Sequence, residues 1–130
     1  MAVGLHAANL ANKWLDMLGG TAFTAPTSTN VKLHTADPGA AGTAAPSGNT
    51  TRVAATWDAA ASGSKAINNT PSWATWGAGP ETLSHITVWD NITAGNVLFS
   101  AALTTPKAIT NGDTFNLTSL TFALTPLMAT

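Results

Sequence analysis

Residues Thr82 to Asp90, TLSHITVWD, constrain this chain more than any other stretch. Strand side chains alternate between faces, so Ile86 and Val88 share one face while Leu83, His85, Thr87 and Trp89 share the other. Both faces are largely apolar. A strand of that kind lies centrally in a sheet and needs cover on each side. The sequence offers two candidates for the outer cover, the N-terminal helix and a second subunit.

The rest of the chain from Asn30 follows the same two-residue period. Candidate strands run from Asn30 to Thr35, Arg52 to Asp58, Ser64 to Asn68, Ser72 to Trp76, Thr82 to Asp90, Val97 to Leu103, Lys107 to Thr110, Asp113 to Thr118 and Leu120 to Leu124. Asn111-Gly112 reads as a type I′ hairpin turn, and Thr93 to Asn96 as a second hairpin loop. Short strands with frequent turns predict a mainly β fold, an antiparallel β-sandwich of jelly-roll-like character. Residues 1–24 form a helix and connector, and residues 25–130 the sandwich, within one structural domain.

Leu5 to Leu18 is the one stretch with helical periodicity. Ala7, Ala11, Trp14 and Leu18 make its expected docking face, and Gly19-Gly20 ends it. Asp16 sits at the end where the helix dipole disfavours an anion. So short a helix is not stable alone and must dock on the sheet or on a neighbouring subunit.

Charge excludes several functions. Only 8% of the 130 residues are charged and the net charge is -1, so no basic field attracts nucleic acid. Cysteine is absent, which removes disulfides and thiolate metal sites. No apolar run approaches the ~20 residues of a membrane span, and the first ten residues lack the pattern of a signal peptide; a soluble protein made in a cytoplasm is expected. A surface this poor in charge suits a protein packed against copies of itself or a partner.

Enzyme signatures are missing: there is no nucleophile elbow, phosphate-binding loop or zinc-protease motif. Glu81 is the only Glu, so a pair of opposed catalytic carboxylates would need an Asp. His34, Asp37, Glu81, His85 and Asp90 are possible metal ligands, but Glu81 and His85 lie ~13 Å apart along an extended strand. We expect no catalytic residues, no metal and no cofactor.

The long loop from Ala36 to Thr50 follows the strand that ends in His34. Asp37-Pro38-Gly39 is turn chemistry: Asp accepts from a nearby backbone N–H, Pro fixes φ and Gly takes a positive φ. Arg52, the only Arg, is expected to pair with a carboxylate or with loop carbonyls. His85 reads as a strand histidine bonded to backbone. Of the five Trp, at least three are assigned to the core, and two exposed ones could form a sugar platform. His34, Asp37, Pro38, Gly39, Arg52, His85 and Trp89 are thus candidates for structural turns and interfaces.

The pieces WLDMLGG, VKLHTADPGAAGT, TTRVAATWDAAASG, SHITVWDNITAGNVLFSAAL and AITNGDTFNLTSLTFAL occur in this order along nearly the whole chain. In that order the chain resembles the small virion proteins of tailed bacteriophages of actinobacteria, labelled minor tail or tail-fibre proteins. Where that family commonly has Asn-Glu after the loop's Gly-Thr, this chain has Ala44-Ala45-Pro46. The resemblance implies a non-enzymatic structural role in the virion and carries over no catalytic residue. It implies partnership with other virion proteins and with copies of itself, a trimer by analogy. A capsid decoration protein and a carbohydrate- or receptor-binding β-sandwich module, which would bind a glycan of the host surface, are the alternatives.

Overall fold

The computed structural model describes residues 3–124. Eight strands follow an N-terminal helix: β1 Thr29–His34, β2 Val53–Ala55, β3 Ser64–Ala66, β4 Ser72–Trp73, β5 Glu81–Trp89, β6 Val97–Ile109, β7 Phe115–Asn116 and β8 Thr121–Ala123. The fold is the expected antiparallel β-sandwich with one helix. Its main sheet has four strands in the order β2-β1-β5-β6, and β3–β8 and β4–β7 form two small ribbons.

β5 is central in the main sheet, paired with β1 through Val31↔Val88 and Leu33↔Ile86 and with β6 through Val88↔Phe99 and Ile86↔Ala101. These residues define the core face. Val31, Leu33 and Val88 are fully buried, and they cluster with Trp73 and Phe115 of the β4–β7 ribbon. Burying each such side chain contributes ~1.5–3 kcal/mol.

The opposite face of β5 carries His85, Thr87 and Trp89, and the helix, which packs on the core through Leu10 and Trp14, does not cover it. The loop after β1 does. It returns to β1 as a bridge between His34 and Pro46, held by Thr35 N–H to Ala45 O at 3.0 Å and Ser47 N–H to Leu33 O at 3.0 Å. Gly42, buried at φ +69°, lies against Val97; a Cβ there would meet Val97 Cγ2 at 2.7 Å. Only Gly serves both the backbone conformation and the close approach.

Three expectations about elements change. The helix is a continuous segment of mixed winding, π at Ala7–Ala11, α at Asn12–Asp16 and 3-10 at Met17–Gly19, so it begins at Ala7. Leu5 instead pairs with Phe99 beside β6. The helix packs through Leu10, which is buried, and Trp14; the expected face of Ala7, Ala11, Trp14 and Leu18 is only partly used, with Leu18 87% exposed. The tighter 3-10 turn at the end and the Gly20 stop at φ +87° carry Leu18 away from the sheet.

The separate strands expected at Val97–Leu103 and Lys107–Thr110 are one strand, β6. Its break is a bulge: Leu83 pairs with Lys107 and His85 with Ala102, so Leu103 to Pro106 face Ser84 alone. Asn111-Gly112 is a turn but not a type I′ hairpin. Only Gly112 takes a positive φ, +93°, and the strands on either side pair elsewhere, β6 with β5 and β7 with β4. The Thr93 to Asn96 loop does close the β5–β6 hairpin, where Asp90 carboxylate oxygens accept from Asn96 N–H at 2.6 Å and Asn96 Nδ2 at 3.0 Å.

Shortening the central core side chain Ile86 to Ala should lower unfolding free energy by about 2–5 kcal/mol in urea denaturation. Leu18→Ala should leave the stability of the monomer within ~0.5 kcal/mol, because that side chain is in solvent in the single chain.

Candidate functional site

Two features stand out, a buried hydrogen-bond chain that fixes the long loop and an apolar groove beside the helix. The chain begins at His34, which is fully buried at the end of β1. Its Nδ1 lies 2.9 Å from Ala44 O and its Nε2 2.9 Å from Thr87 Oγ1. A carbonyl only accepts, so Nδ1 carries the proton and Nε2 accepts from the Thr87 hydroxyl. Thr87 Oγ1 in turn accepts from Trp89 Nε1 at 2.7 Å. Every polar atom in this chain is satisfied with His34 neutral. Burial is the main cause holding its pKa below the ordinary 6.5, with smaller contributions from Lys32 and His85.

Arg52 continues the arrangement outward. Its guanidinium lies 3.8 Å from the centroid of the Trp89 ring and its Nη1 donates to Asn91 O at 2.9 Å and Ala94 O at 2.6 Å. The expected partners of Arg52 are thus the loop carbonyls, and the cation also stacks on Trp89. Trp89 is 8% exposed. Asp37 and Gly39 form the expected turn: Gly39, at φ +70°, donates its N–H to Asp37 Oδ1 at 2.8 Å, the main cause of the lowered Asp37 pKa. Pro38 is buried beneath it. His85 is half-buried, opposite His34 in the strand pairing, and its Nδ1 bonds Ser84 Oγ at 2.8 Å rather than backbone.

Glu81 takes a part that its sequence position did not suggest. Its two oxygens accept from Ser47 Oγ at 2.7 Å and Gly48 N–H at 3.1 Å, which ties the end of the loop to the start of β5. A carboxylate so engaged is a clamp. Ser47, Thr87 and Ala44 were also invisible as site residues, because their roles depend on strand pairing. Among the described residues no three His, Cys, Asp or Glu side chains assemble into a metal site.

The groove, about 480 Å³, lies between the helix, the start of β6 and the β3–β8 ribbon. Trp14, Phe23, Trp57, Phe99 and Phe122 line it with aliphatic and small residues, and Lys65 is the one charged lining residue among those described. Trp14 meets Phe122 edge-on at 5.6 Å, and Phe122 meets Phe99 at 5.1 Å. Trp14 and Trp57 are half-buried here, while Trp73, Trp76 and Trp89 are core. The walls carry almost no polar groups, the opposite of a sugar site, where hydroxyls need directed partners.

This charge-poor sandwich with its clamped loop and apolar groove matches, over residues 6–125, the model of the gp80 family, described as podophage GP4 fiber I protein gp80. The chain belongs to that family. The gp80 family is one of phage fibre structural proteins, so the chain is a virion protein that associates with other virion proteins. No curated protein matches it. Loop and groove are therefore features of a gp80-family structural component, and no helix among the described residues is long and apolar enough to cross a membrane.

The neutral state of buried His34 gives a pH dependence of defined sign. Below about pH 6.5 the unfolded chain binds a proton that the folded chain refuses. Stability contributed by the neutral ring is complete above that pH and is lost as pH falls toward the lower folded pKa, at no more than about 1.4 kcal/mol per pH unit. Urea melts between pH 7.5 and pH 5.5 should show this decline, and His34→Gln should flatten it.

Proposed function

We propose that the chain is a non-enzymatic tail component of an actinobacterial phage, fibre-associated or minor tail, and that it assembles as a homo-oligomer, with a trimer the preferred stoichiometry. Membership of a fibre family over residues 6–125 carries this reading, and the pieces quoted from the sequence support the host assignment. Self-association is supported by exposed apolar side chains at the helix end, Leu15 at 64%, Met17 at 49% and Leu18 at 87%, beside an open apolar groove. His34, Asp37, Pro38, Gly39 and Trp89 act in this reading as the frame that keeps the loop fixed, and Arg52 fixes the neighbouring β5–β6 hairpin. The contacts come from the helix and the groove, and the loop adds its outer surface.

Copy number in purified particles tests the position. Quantitative mass spectrometry should find a small multiple of the tail's symmetry, removed together with the tails when heads and tails are separated. Hundreds of copies retained on heads would instead favour capsid decoration.

A further inference from the structure

We propose that the helix end of one copy, Leu15 to Leu18, inserts into the apolar groove of the next copy, joining subunits head to tail. The inference rests on the homo-oligomeric reading above and specifies its surface. Knob and socket are both on the chain. The knob is the cluster of Leu15, Met17 and Leu18, whose combined exposure equals that of two wholly exposed residues within four positions. Three large apolar side chains together in solvent mark a contact surface rather than scattered exposure. The socket is the groove, whose aromatic walls Trp14, Trp57 and Phe122 leave about 480 Å³ unfilled by the side chains of the described residues.

Charge agrees with this pairing. Asp16 stands inside the knob, exposed, at the helix end where the dipole disfavours an anion. Among the described residues the one charged side chain lining the socket is Lys65, and its ammonium spends a single hydrogen bond on Asp58 O at 2.6 Å. Two N–H donors remain for a carboxylate. Seating the knob brings Asp16 toward Lys65. Because knob and socket are different places on one chain, the contact can repeat head to tail, and a rotation that closes gives a ring, of which a trimer is one form.

Two surface substitutions separate the halves. Leu18→Asp removes the knob and Ala60→Arg blocks the socket; both positions are exposed, and circular dichroism checks that each variant is folded. Sedimentation velocity of the wild type should show an oligomer, and each variant alone should lose it. A 1:1 mixture should recover dimers and nothing larger, since it retains one working knob and one working socket. Asp16→Lys should weaken the wild-type assembly about tenfold or more. Variants that remain as oligomeric as the wild type would overturn this contact while leaving self-association standing. A mixture that stays monomeric would overturn the head-to-tail arrangement, and a monomeric wild type would overturn both this contact and self-association, with the copy-number experiment still deciding the virion reading.

Discussion

The arrangement depends on one buried contact, the hydrogen bond between the His34 ring and the Thr87 hydroxyl at 2.9 Å. It joins β1 to β5 on the face of the main sheet that faces away from the core. A polar pair buried there would cost about 1–3 kcal/mol if left unmade. Here it is completed on both sides, by Ala44 O from the loop and by Trp89 Nε1 from the same strand. The loop closes over the sheet because the His34 ring needs its carbonyl. Glu81 then secures the far end of the loop through Ser47 and Gly48.

This division of labour fits a structural virion protein. One face of the main sheet is sealed by its own loop, with Arg52 pinning the neighbouring hairpin over Trp89. On the helix side, aromatic walls surround a groove left unfilled by the described residues, and leucines stand in solvent at the helix end. In the proposed reading, a covered face and an open apolar one would give a subunit an orientation in an assembly. Low charge supports the same design, because contacts between such surfaces sacrifice little hydration.

Much of the fold was legible in the amino acids. The two-residue period located the strands, and the two apolar faces of Leu83 to Trp89 correctly placed β5 at the centre of the sheet. The identity of its outer cover was not legible. Small residues such as Gly42 and Ala44 carry no hydrophobic pattern, and they cover the sheet through backbone atoms and close approach. The helix was legible as a helix, but Leu10 rather than Leu18 meets the sheet because the winding changes along its length. His34, Asp37 and Arg52 were recognisable by residue type; their partners depend on strand register, which brings Thr87 and Trp89 to the loop. Asn111-Gly112 misled for the same reason, since its flanking strands find partners in different sheets.

The central claim is that the Thr87 hydroxyl, through His34, holds the loop closed on the sheet. Native-state hydrogen exchange on wild type and Thr87→Val tests it directly, because valine keeps the shape and removes the hydroxyl. The account predicts that the Thr35, Ala44 and Ser47 amides lose protection by about tenfold or more relative to Val31 and Val88 in the same variant, as one buried hydrogen bond is worth ~1–3 kcal/mol. Loop amides that keep their wild-type protection in Thr87→Val would contradict it.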